Sequence, residues 1–260
     1  MTIREFIPRE HGAWAMWIVP MLSAAIVTRF SAIFFLLFVC FALLYTVHHP
    51  IVMMLKRKRI ADTGDMKQVI AVALPAVLIG IALVWFGDLV WLLLFGAAEI
   101  AIFTFSVKSF LDRERRSVFN ELTVVAALTL SAPAGYYAIT GKLDLVAAVL
   151  YALNFLFFGS SIFYVKARIE FLRFKGEWKS EAKKARAMMI AYHLFLVLAV
   201  ASAAYFGIMS IWILLGFVPM LVQVAVGMLS GKTKMNFTRL GFALVAQSVI
   251  FLCVVGVFLR

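Results

Sequence analysis

Residues 118–140 read VFNELTVVAALTLSAPAGYYAIT, and this stretch decides what kind of protein the chain is. A bilayer core about 30 Å thick is crossed by about 20 mostly apolar residues in a helix. The stretch has that length, and its one charged residue, Glu121, stands near its start beside Asn120. Lipid offers no partner to an open backbone, so a run of this kind folds as a helix. A carboxylate at such a threshold is costly, and intramembrane acids are by default functional candidates. The preceding KSFLDRERRS, residues 108–117, puts Asn120 and Glu121 at a cation-rich mouth.

Eight further runs share this character: 12–28, 30–54, 68–86, 88–107, 144–165, 189–207, 209–229 and 237–259. The chain is 65% apolar, with a mean hydropathy of +1.01. Soluble domains run near 45–50% apolar. The expected fold is an all-α polytopic membrane protein with nine transmembrane helices in one domain, 1–260. The first run has no block of basic residues before it and reads as a retained helix, not a cleaved signal. Cys40 and Cys253 both lie in apolar runs and read as small buried hydrophobes.

The net charge is +12, and its distribution is more informative than its size. Polar loops follow alternate helices at about 56–67, 108–117, 166–187 and 231–236. Placing them on one side with the N-terminus gathers 22 of the 25 Lys and Arg residues there, leaving Arg29, Lys142 and Arg260 opposite. The positive-inside rule then gives a cytoplasmic N-terminus. The basic charge therefore points to membrane lipids as partners and not to nucleic acid, and to a bacterial cytoplasmic membrane as the location. Loop 166–187 mixes Phe171, Leu172, Phe174 and Trp178 with cations. It reads either as an interfacial helix or lid, or as a solvated basic loop near anionic lipid.

Three polar constellations fall on that side. Glu10 and His11 stand at the entry of the first helix with Trp14, as an interfacial anchor or an acid/base pair. Tyr45, His48 and His49 share one face near the end of the second helix, at offsets of three and four. No Asp or Cys lies at a local spacing that completes a metal site, so these residues read as a hydrogen-bonding cavity wall. Ser160, Tyr164 and Arg168 recur every fourth residue and form a stripe that rises from hydroxyl to guanidinium beside Lys166. Arg pairs well with phosphate or carboxylate, and Lys56 and Lys108 sit on the same side. Glu99 stands deep in the fourth helix, while His193, Gln223 and Gln247 read as helix–helix contacts.

Two resemblances bear on function. PREHGAW (8–14), SVFNEL (117–122) and FYVKARI (163–169) resemble the YwiC-like family of bacterial integral membrane proteins. The helix count and the charged loops after helices 2, 4 and 6 resemble the UbiA superfamily of intramembrane prenyltransferases. That likeness implies a cytoplasm-facing cavity for an isoprenyl diphosphate, with Lys108 and Asn120-Glu121 at its rim. The superfamily holds magnesium with Asp-rich motifs after helices 2 and 6. Here those regions read YTVHHPIVMMLKRKR (45–59) and SSIFYVKARIE (160–170), which lack the carboxylates a magnesium ion needs.

The expectation is therefore a UbiA-like bundle with a basic cavity for an isoprenoid or lipid-like anion. Its ligand-binding residues would be Trp14, Tyr45, His48, His49, Lys56, Lys108, Asn120, Ser160, Tyr164, Lys166 and Arg168. If it is an enzyme, it is a transferase without the usual Asp-bound magnesium, with Glu10, His11 and Glu121 moving protons. The rivals are a transporter that relays protons through Glu99, Glu121 and the histidines, and a non-catalytic lipid-binding or assembly factor.

Overall fold

The structure, a computed structural model, describes residues 11–57, 63–111, 118–229 and 236–259. The described chain forms α1 (His11–Val27), α2 (Ala32–Arg57), α3 (Thr63–Trp85), α4 (Leu92–Leu111), α5 (Val118–Thr129) and α6 (Ser131–Thr140). It continues with α7 (Leu145–Arg173), α8 (Glu181–Tyr205), a 3-10 helix (Ile211–Gly216), α9 (Val218–Leu229) and α10 (Phe237–Phe258). No strand forms among the described residues. Five helical stretches are long and apolar enough to cross a bilayer: Met66–Trp85, Val118–Thr140, Leu145–Arg173, Glu181–Tyr205 and Thr238–Phe258. Four shorter apolar helices, Trp14–Val27, Ala32–Val47, Leu92–Ile102 and Val218–Leu229, accompany them.

Prolines divide two of the expected helices. The run 118–140 breaks at Leu130, whose N–H bonds Ala127 O at 2.8 Å in a tight i−3 turn. Pro133 has no N–H for the Thr129 carbonyl and its ring crowds that carbonyl, which ends α5 there. The Ser131 hydroxyl lies 2.9 Å from Trp17 O and 2.7 Å from Leu128 O, tying the break to α1. Pro219 acts in the same way on Leu215, so 209–229 becomes a 3-10 turn followed by α9. At about 2.0 and 1.5 Å per residue, the two pieces together still rise about 30 Å.

Burial separates a core from a flank. The most apolar windows of 118–140 and of α7 are each 61% buried, against 17% for that of α3. α1 lies at the centre, packed on α5, α6, α7 and α10. Gly135 of α6 approaches α1 so closely that a Cβ there would stand 3.3 Å from Ala24 Cβ. Such small-residue contacts let membrane helices gain dispersion where lipid supplies no hydrophobic drive. Phe157, Phe217 and Phe251 are fully buried, and their ring centroids lie 4.5 to 6.2 Å apart. They lock α7, the α9 entrance and α10 together. α2 and α3 pair on the flank, where the Cys40 thiol meets Ala76 O at 3.3 Å.

Most of the segment 166–187 is helical. α7 runs on to Arg173 and α8 starts at Glu181, leaving only a short turn between them. Ala167, Phe171, Ala182 and Met189 are buried along the hairpin and hold the two helices paired. Phe171 packs on Trp178 at 4.5 Å, and the Arg186 guanidinium lies 5.1 Å from the Trp178 ring centre.

Candidate functional site

The first turns of α1 lie against the second half of α2. There α1 and α2 present an aromatic cluster. Trp14 and Trp17 are three residues apart, and Phe38, Phe41 and Tyr45 fall at offsets of three and seven, so each set shares one helix face. Trp14 meets Tyr45 edge-on at 4.9 Å, and Trp17 lies 5.1 Å from Phe38 and 6.0 Å from Tyr45. Edge-to-face and offset pairs at these separations are the favoured geometries. Trp17 is 1% exposed, and its indole Nε1 has no hydrogen-bond partner among the described residues. A buried donor without an acceptor is costly, so this N–H is a polar handle within the cluster. Trp14 and Tyr45 are half-buried, nearer the rim.

Asn120 and Glu121 occupy the first turn of α5 and are half-buried. A carboxylate there complements the positive end of the helix. The next residue, Leu122, lies against Gly159 of α7, with its Cδ2 3.4 Å from where a glycine Cβ would be. The start of α5 therefore adjoins the α7 stripe.

Each member of the stripe meets a different neighbour. The Ser160 hydroxyl and His193 Nε2 are 2.6 Å apart, and His193 Nδ1 lies 2.6 Å from Met189 O. A carbonyl only accepts, so Nδ1 carries the hydrogen and Nε2 accepts from Ser160. Both residues are buried, which makes this a dry lock between α7 and α8. Tyr164 covers Gly227 of α9, where an added Cβ would stand 2.6 Å from Tyr164 Cε2. Arg168 is 5% exposed and donates from Nη1 to Gly227 O at 3.0 Å, with its guanidinium 4.9 Å from the Phe171 ring centre. Gly227 is among the last residues of α9, whose final carbonyls lack intrahelical partners. Arg168 thus caps α9 and sits at its negative end. Lys166, two residues before Arg168 on α7, is half-buried.

Several expected residues lie beyond this geometry. Glu10 is outside the described residues. His11, His48, His49, Lys56 and Lys108 are placed on α1, α2 and α4, but their side chains are outside the description. Among the described residues, no group of three His, Cys, Asp or Glu could hold a metal ion. Phe38 and Phe41 were missed as partners of Trp17, although their spacing with Tyr45 carried the signal. The Ser160–His193 pairing had none, because one sequence does not give the relative rotation of α7 and α8.

A family model for YwiC-like proteins matches residues 7–136, half of the chain. The chain belongs to the YwiC-like family. The YwiC-like match takes in the aromatic cluster and the α5 mouth, while the α7 stripe lies beyond it. Neither the comparison with curated proteins nor that with solved structures returned a match.

Proposed function

We propose that this YwiC-like protein crosses a bacterial cytoplasmic membrane nine times, N-terminus inside, and that its inner helix ends bind an amphipathic isoprenoid- or lipid-like anion. The observation that carries this reading is the aromatic cluster with its unpartnered Trp17 N–H, at the same end of the bundle as the cations of α4 and α7. An apolar chain suits the aromatic and aliphatic walls. A phosphate or diphosphate head suits Lys108 and Lys166, with the indole N–H as a further donor. The isoprenoid class comes from the layout of helices and loops that resembles the UbiA superfamily.

In such a site, transfer would form a bond from the acceptor to the first isoprenyl carbon as that carbon's bond to the ester oxygen of the α-phosphate breaks. The diphosphate leaves with the electron pair, and cationic side chains neutralise it in place of an Asp-bound metal. Glu10, His11 or Glu121 would accept the proton that the acceptor loses. Binding of farnesyl diphosphate to the detergent-solubilised protein tests the reading. Trp14→Ala and Lys166→Ala should each weaken binding about tenfold or more, the equivalent of one charge-assisted contact at about 1.5–3 kcal/mol. Wild-type affinity in both variants would overturn it.

A further inference from the structure

Glu99 lies on α4, away from the aromatic cluster. It is seven residues into the helix, about 10 Å from the outer end at 1.5 Å per residue. Tyr151 lies at matching depth on α7, six residues in from Leu145, and stands within electrostatic reach of Glu99. Glu99 Oε1 is buried and has no hydrogen-bond partner among the described residues, while the residue as a whole is half-buried.

The elements packed on α4 are α3, α5 and α6. Their charged residues are Asp65 and Lys67 on α3 and Glu121 on α5, all within the first turns at the inner end. α6 has none, and Lys108 on α4 itself is more than two turns further in. At the outer end, Arg29, Asp88 and Lys142 are exposed in the α1–α2, α3–α4 and α6–α7 connections, and Asp144 is engaged in capping α7. A carboxyl set among apolar side chains, with no ion-pair partner among the described residues, is far cheaper with its proton on.

We propose that Glu99 is a proton-binding site inside the membrane, the kind of group that couples proton movement to a translocated solute. On release the O–H bond breaks, its electron pair stays on the carboxylate, and the proton passes to water at the mouth of the bundle. The inference is independent of the isoprenoid site.

The full chain in phosphatidylglycerol–phosphatidylethanolamine vesicles provides the test. Dicyclohexylcarbodiimide, a lipid-soluble reagent that adds to protonated carboxyls, is expected to modify Glu99, as read by peptide mass spectrometry, and to lose that product as the pH is raised. Infrared spectra of wild type minus E99Q should show the carbonyl band of a protonated acid at neutral pH. Both results together support the proposal. A missing band would overturn it, because the carboxyl would then be ionised. A band without labelling would overturn it too, because the acid would be sealed from exchange. The labelling arm uses the wild-type chain, so a poorly folding variant does not blunt it.

Discussion

Replacing Arg168 with methionine keeps most of the side chain's length and removes its guanidinium. Three parts of the loss are seen among the described residues. The hydrogen bond to Gly227 O at 3.0 Å is charge-assisted, a class that contributes about 1.5–3 kcal/mol. The guanidinium 4.9 Å from the Phe171 ring centre adds about 0.5–1 kcal/mol, and its position at the C-terminal end of α9 adds about 0.3–1 kcal/mol. Against these stands the relief of not burying a charge, which pulls the net effect toward the low end. Arg168→Met is therefore expected to destabilise the protein by about 2 kcal/mol. Arg168→Lys, which keeps the charge and loses the planar stack, should lose about half of that. Reversible unfolding in mixed micelles, titrated with a denaturing detergent and without ligand, measures both. A methionine variant within about 0.5 kcal/mol of wild type, the range of an ordinary surface substitution, would refute the capping role.

Gly227→Ala places a Cβ 2.6 Å from Tyr164 Cε2 and should cost about 1–3 kcal/mol in the same unfolding assay. Most of that cost should vanish in a Tyr164→Leu background; an equal cost in both would show that the ring is not the obstacle. A double-mutant cycle of Ser160→Ala and His193→Phe should give a coupling energy of about 0.6–1.7 kcal/mol, the range of hydrogen bonds between membrane helices. A coupling indistinguishable from zero would contradict the lock between α7 and α8. For orientation, Lys142→Cys in a chain lacking Cys40 and Cys253 should react with an impermeant thiol reagent on intact cells, and Lys179→Cys only in inverted vesicles. The reverse pattern would invert the topology.

The helices were legible because apolar length is a one-dimensional signal, and their observed ends fall within a few residues of the expected ones for α1, α3 and α10. The interruptions at Pro133 and Pro219 were visible as residues but not as breaks. Membrane helices tolerate proline where nearby groups re-satisfy the backbone, and the Ser131 hydroxyl donating to Leu128 O at the break is such a group. The helices flanking the cationic stretch 166–187 extend into it, beyond their expected ends, for a related reason. Charge marks where a chain leaves the lipid, but a helix can continue past that point, as α7 does to Arg173. The stripe Ser160–Tyr164–Arg168 was legible as a face, whereas its partners depend on how α8 and α9 are rotated against it. Nothing in the sequence distinguished an arginine that awaits an anion from one that caps a helix.

Thermal unfolding of the full chain in mild detergent, with farnesyl or geranylgeranyl diphosphate in the presence of magnesium or a chelator, tests the central claim most directly. A ligand at about one hundred times its dissociation constant stabilises the folded state by about 2.7 kcal/mol, a readily measured rise in midpoint. The account expects that rise with either diphosphate and expects it to survive the chelator, since cations and the Trp17 N–H hold the head group. An unchanged midpoint under both conditions would contradict an anionic isoprenoid site at the inner helix ends.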